Sequence, residues 1–107
     1  MEIRQYDLVL VNLAPTIGSE MKKTRPCLVI SPNEMNKYLQ TIVIASVTST
    51  SRDYPTRVSI NQESIKGWIV IDQIRTIDKR RIVKILGKLN NPEIEKVKDV
   101  IQETFVE

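Results

Sequence analysis

The apolar residues of this chain come in short runs rich in Val, Ile and Leu, each cut off by proline, glycine or a polar cluster. Runs of that length and composition are strands, so the chain is committed to a sheet of many short pieces. Asp7–Leu13 is one such run, bounded by Ala14 and Pro15. Cys27–Ser31 is apolar almost throughout, the mark of a strand buried on both faces. Thr41–Val47 is a further β-branched run, and Thr56–Ile60 alternates as a half-exposed strand does. Trp68–Ile71, entered through Gly67 and extending to Ile77, is another, and Arg81–Leu89 closes the series. Pro32–Leu39 reads as a short helix with Pro32 at its start.

The clearest helix is the last segment. Asn91 before Pro92 predicts an N-cap followed by proline at the first helical position. Glu93 and Glu95 then lie near the positive end of the helix dipole. Ile94, Val97, Ile101 and Phe105 form one apolar stripe at helical spacing. About six short strands and one terminal helix predict a mainly β fold with α: a small curled antiparallel sheet or barrel, the helix packed beside it. At 107 residues the whole chain, 1–107, is expected to be a single domain. No internal repeat or linker divides it.

Residue types narrow the chemistry. The chain has no histidine and one cysteine, Cys27, so an internal disulfide is excluded and structural zinc has no ligand set. Cys27 sits in a strand pattern, where a free thiol behaves as a small core hydrophobe. Carboxylates alone remain for a metal, and isolated acids on separate loops make a poor cage; no metal and no cofactor are expected. No apolar run approaches the ~20 residues of a membrane span. The N-terminus lacks a signal-peptide core, so a cytoplasmic chain is expected. The net charge of +3 is unevenly spread. Residues 75–88 carry Arg75, Lys79, Arg80, Arg81, Lys84 and Lys88 against Asp78 alone, whereas 91–107 are mostly acidic. That stretch is either a cationic face that draws a polyanion or a solvated strand edge guarded by cations.

Polar residues cluster where strands begin and end. The loop before Cys27 carries Glu20 and Arg25, the next strand ends in Thr48-Ser49-Thr50, and a later one runs into Asp72-Gln73-Ile74-Arg75-Thr76. An acid, several cations and a row of hydroxyls suit a phosphodiester. If the substrate is RNA, metal-free cleavage can use the ribose 2′-OH as nucleophile. It needs a base, a stabiliser for the phosphorane and a proton for the departing 5′-oxygen. Arg25 matches phosphate oxygens with paired hydrogen bonds, or else is a solvent-facing arginine at a strand entrance. Glu20 is a candidate base, weak at an ordinary pKa near ~4.3, or a loop carboxylate pairing with Lys22 or Lys23. Thr48 either donates its hydroxyl to a phosphate oxygen or is an ordinary strand threonine. Ser19, Ser49, Thr50, Arg52, Arg57 and Lys79 are candidate RNA contacts. Tyr54 and Trp68 are the aromatics placed to stack on unpaired bases, with core packing the more expected role for Trp68.

The blocks Pro15-Thr16-x-Gly18-Ser19-Glu20, Arg25-Pro26, Thr48-Ser49-Thr50, Tyr54-Pro55-Thr56 and Asp72-Gln73-Ile74-Arg75-Thr76 resemble the MazF/PemK family of toxin endoribonucleases. The resemblance runs nearly end to end, with the blocks in the family's order. It implies an SH3-like barrel, commonly paired as a homodimer, that cuts single-stranded RNA without a metal. A small antitoxin with an acidic tail would silence it. It places Arg25 and Thr48 in the catalytic centre, with Glu20 at the matching acidic position. Asp72 matches another acidic position. In part of the family that acid works beside an arginine two residues earlier, where this chain has Val70. Asp72, Gln73 and Arg75 are then base-reading groups or hydrogen-bond anchors within the sheet. Met21 and Lys23 replace the Gln and Gly common in the family's first loop.

Two other readings use the same fold: a non-catalytic toxin that binds DNA gyrase, and a plain RNA-binding barrel. The first has no need of an Arg25–Thr48 phosphate centre. The second would want more stacking platforms than five aromatics supply (Tyr6, Tyr38, Tyr54, Trp68, Phe105).

Overall fold

Alternation of side chains along the strands decides what this sheet buries. The computed structural model describes residues 1–15, 23–62 and 64–106. Its strands are β1 (Asp7–Asn12), β2 (Thr24–Val29), β3 (Thr41–Thr48), β4 (Arg57–Asn61), β5 (Lys66–Val70), β6 (Arg75–Asp78) and β7 (Ile82–Lys88). Two helices, α1 (Asn33–Tyr38) and α2 (Asn91–Phe105), complete the chain.

All pairings are antiparallel, in the order β4-β5-β3-β2-β1-β7. The long strand β3 is shared along one edge: its first half pairs with β6 and its last residues with β5. The strand expected to run from Trp68 to Ile77 is therefore broken. A 3-10 turn at Ile71–Gln73 lets the chain leave β5 and rejoin β3 as β6. Among the described residues no ladder joins β4 to β7, so the sheet is curled and open at that seam. Gln62, just past β4, spans the seam by donating its side-chain amide to the Lys88 carbonyl at 3.0 Å and to the Glu93 carboxylate at 3.0 Å.

Both faces of the central strands are buried, as the unbroken apolar run of β2 predicted: Cys27, Leu28 and Val29 are each fully enclosed. Leu8, Leu28, Ala45 and Val47 face one core with Val58, Ile60, Ile69 and Ile71, and α2 covers it with Val97 and Val100. Val9, Val11, Cys27, Val29, Ile42 and Ile44 face a second core with Ile3 and Ile77. Pro26 sits in β2 opposite Leu10 of β1, before the ladder to β3 starts at Cys27, so it removes no donor from the β2–β3 ladder.

α2 starts one residue earlier than its proline suggested. Asn90, not Asn91, is the N-cap: its side chain accepts from Glu93 N–H at 2.9 Å, and the Glu93 carboxylate accepts from Asn90 N–H at 3.0 Å. This reciprocal box satisfies two orphan donors and outweighs the preference of proline for the first helical position. The apolar stripe also differs at its end. Val100 is buried, whereas Phe105, at the end of the helix, is half exposed. Among the described residues no helix is long and apolar enough to cross a membrane.

Candidate functional site

Residues opposite one another in an antiparallel ladder share a face, and every second residue returns to it. Cys27 lies opposite Ser46, so two steps further along each strand bring Arg25 level with Thr48. Thr48 lies opposite Trp68, and Trp68 opposite Ser59. A polar row therefore crosses β2, β3, β5 and β4 at the end where the second core runs out. Arg25, Thr48 and Ser49 line a shallow depression of about 340 Å³ together with Ser64 and Lys66. Arg25 and Thr48, separated by 23 positions in the sequence, thus line one depression.

Gly67 makes this approach of strands possible. A Cβ there would stand 2.4 Å from the Thr48 carbonyl oxygen, well inside any allowed contact. The Thr48 hydroxyl donates to the Thr50 carbonyl at 3.1 Å and accepts weakly from Thr50 N–H at 3.4 Å. This local turn fixes the 48–50 corner, and the hydroxyl must rotate out of it to reach a ligand. Beneath, Cys27 is fully buried and burial pushes its thiol up to about 11, against the opposing effects of Ser46, Arg25 and Arg75. It is a neutral core thiol, as its place in the strand predicted.

A second polar cluster stands beside the first, where the 49–56 loop enters β4. The Arg57 Nε donates to Asp72 Oδ1 at 2.9 Å, and another guanidinium nitrogen donates to Ser51 Oγ at 2.8 Å. The Thr56 hydroxyl donates to the same Asp72 oxygen at 2.8 Å. The Arg57 guanidinium holds the Asp72 carboxyl below the ordinary carboxylate range, and Thr56 adds to the effect. In return, Asp72 raises the guanidinium's own pKa. Arg57 also lies over the Tyr54 ring, 5.2 Å from its centroid. Asp72 is thus placed as a hydrogen-bond anchor between the 3-10 turn and the loop, and Arg57 is engaged within the protein.

The other candidates are more scattered. Ser49, Thr50, Arg52 and Tyr54 are exposed on the loop beside the depression. Gln73 is exposed in the 3-10 turn next to Asp72. Arg75 lies opposite Ile44, on the same face as Arg25 but roughly 14 Å further down β3 at the usual strand rise. Lys79 donates its N–H to Gln40 just before β3, roughly 27 Å from Thr48 at that rise. It borders a different and larger cavity of about 580 Å³, beside the N-terminal residues and α1. Ser19 and Glu20 lie outside the described residues.

The run of cations at 75–88 does not form one face. Arg80 is tied to Asp78, which its guanidinium keeps below the usual carboxylate range. Arg81 spends its guanidinium on the carbonyls of Asn12, Ala14 and Pro15, anchoring the end of β1. Trp68 belongs to neither core cluster; it is half-buried in the polar row, contrary to the core packing expected of it. Lys66 and Ser64 were not singled out from the sequence, because only the β3–β5 pairing brings them to Arg25. Among the described residues no three His, Cys, Asp or Glu side chains converge as a metal-ligand set.

Residues 4–105 match the sequence pattern of PemK-like, MazF-like toxins of type II toxin–antitoxin systems. The chain belongs to this family. It is 32% identical over 105 residues to the endoribonuclease MazF of Staphylococcus saprophyticus, covering 92% of this chain and 88% of that relative. Its fold is similar to that of MazF from Deinococcus radiodurans (TM-score 0.79, 25% identity, 96% of each chain). It is equally similar to a mycobacterial endoribonuclease solved in complex with its cognate antitoxin (TM-score 0.81, 20% identity, 94% of this chain and 92% of that one). Within the MazF-like fold, the open seam between β4 and β7 is where α2 and Gln62 complete the wall of the curled sheet.

Proposed function

We propose that this chain is the toxin of a type II toxin–antitoxin pair, an endoribonuclease that cuts cytoplasmic single-stranded RNA at a short sequence without a metal. The observation that carries this reading is the register of β2 on β3, which sets the Arg25 guanidinium and the Thr48 hydroxyl at one depression with Ser49 and Lys66. In the proposed reaction the 2′-oxygen attacks the adjacent phosphorus. A new 2′-O–P bond forms, the P–O5′ bond breaks, and the products carry 2′,3′-cyclic phosphate and 5′-hydroxyl ends. A guanidinium is a poor proton donor, so the role of Arg25 is to stabilise the phosphorane, not to transfer a proton. Thr48 gives up its bond to Thr50 and donates to a non-bridging oxygen. Glu20, four positions before β2 in the sequence, takes the 2′-OH proton, and the departing 5′-oxygen takes its proton from solvent water. The toxin acts as a homodimer and is silenced by an acidic segment of its antitoxin laid over the same cationic depression.

The test is incubation of the protein with long single-stranded RNA in excess EDTA beside an Arg25→Ala variant, with mapping of the product ends. Arg25 is exposed, so its loss leaves the fold intact. The expected result is cutting at one short sequence with cyclic phosphate ends, lowered at least about 100-fold in the variant, as for loss of one oxyanion-hole donor. Intact RNA, or equal cutting by both proteins, would overturn the mechanism.

A further inference from the structure

We propose that Tyr54 is a stacking shelf for one base of the RNA and that Arg57 is the positioning residue that holds it. The proposal rests on the ribonuclease reading above and adds to it a specificity element.

Tyr54 lies on the loop between Thr48 and β4, and the residue is 46% exposed. An aromatic on a free loop would gain little by stacking, because ordering it would offset the contact. This one is already ordered. Its N–H donates to the Arg52 carbonyl at 2.8 Å, and its carbonyl accepts from Arg57 N–H at 3.0 Å. The guanidinium of Arg57 lies over the ring, 5.2 Å from the centroid, and the opposite face is the one we assign to the base. The guanidinium itself cannot swing away, because Asp72 and Ser51 hold it at 2.9 and 2.8 Å. The chain of contacts Asp72–Arg57–Tyr54 therefore presents a flat, electron-rich surface at a set angle, at little further ordering cost.

The placement suits RNA. Arg57 lies on the same sheet face as Ser59 and Trp68, the row that ends at Thr48. With strands about 4.8 Å apart, two strands across and two residues along, Arg57 stands roughly 12 Å from Thr48. A strand whose phosphate sits at Arg25 and Thr48 can then lay a neighbouring base on Tyr54. Stacking is indifferent to base edges, so discrimination falls to groups beside the shelf. Asp72, which anchors Arg57, and the exposed Gln73 that follows it in the 3-10 turn are the groups we assign to that role.

The experiment uses the cleavage sequence mapped as above, in a short RNA carrying a single 2′-deoxy nucleotide at the scissile position so that it binds without being cut. Abasic sites are introduced one position at a time, and affinities are measured by fluorescence anisotropy for the native protein, Tyr54→Leu, Tyr54→Phe and Arg57→Lys. The expected result is a loss of roughly tenfold for Tyr54→Leu on the intact RNA, in the range typical of one stacked base. One abasic position should weaken the native protein by a similar factor and Tyr54→Leu no further, with Tyr54→Phe behaving as native. Arg57→Lys keeps the charge but not the fork, and should reduce the loss seen at that same position. Losses that multiply independently at every position would overturn the shelf. An Arg57→Lys variant with the native coupling would overturn the positioning role. If the native protein neither binds nor cuts RNA, the ribonuclease reading fails and the shelf with it, whereas cutting with no coupled position sinks the shelf alone.

Discussion

The missing Cβ of Gly67 is what lets β5 lie against the Thr48 carbonyl, 2.4 Å from where that atom would stand. Both sides of the clash are backbone, so neither can rotate away. Gly67→Ala is expected to destabilise the fold by about 1–3 kcal/mol, as overpacking does. It should also push the Thr48 corner off Arg25 and lower RNA cleavage beyond what the stability loss explains. Gly87→Ala is the control: its nearest neighbour, the Gln62 side chain, is 3.9 Å away. Urea unfolding and cleavage assays on both variants test this, and equal behaviour of the two would contradict the account.

Lys66 supplies the depression with a second cation beside Arg25. As a point charge without a fixed fork, it contributes to affinity but not to sequence choice. Lys66→Gln should weaken RNA binding evenly across sequences and reduce the slope of log K against log salt by about 0.7, the value for one phosphate contact on a single strand. A variant that shifts the cleavage sequence instead would assign Lys66 to base reading.

Strand identity was legible wherever side-chain alternation or an unbroken apolar run spoke, as in β2 and β3, because burial of a face is a local pattern. The Ile71–Gln73 turn was not, because the apolar run continues through it and only competition for the single edge of β3 splits β5 from β6. The site divided in the same way. Arg25 and Thr48 could be paired from their place in a familiar order of blocks. Lys66 could not, because it reaches Arg25 only through β3, and nothing near it in the chain marks the register. The cationic run at 75–88 left two readings open for a related reason: sequence shows the charges, Asp78 among them, but not that Asp78 engages Arg80 or that the carbonyls of Asn12 and Ala14 engage Arg81.

Asp72 makes acid stability testable. The hydrogen bond from Arg57 depresses its carboxyl in the folded state below the ordinary 3.8. A depressed folded pKa means that the stabilisation is complete above the unfolded value and is lost as pH falls through the folded one. The stability difference between the native protein and Asp72→Asn is therefore expected to be flat from neutrality to about pH 5 and to shrink progressively below about pH 4. Urea midpoints measured across that range check it. A gap that widens on acidification would mean that Asp72 is protonated or unpaired in the fold.

Glu93 serves two partners at once, closing the capping box of α2 with Asn90 and accepting from Gln62 across the open seam. Asn90→Ala alone should cost about 1 kcal/mol, the usual value of a lost N-cap. Glu93→Ala removes the return bond of the box and also frees Gln62, which keeps only the Lys88 carbonyl. In a double-mutant cycle, Asn90 with Glu93 and Gln62 with Glu93 should each show a coupling of about 0.5 kcal/mol or more, as residues in one network do. Asn90 with Gln62, which have no contact except through Glu93, should be nearly additive. Additivity of all three pairs would show that α2 is held to the sheet by its apolar face, Ile94, Val97, Val100 and Ile101, with the polar seam contributing nothing.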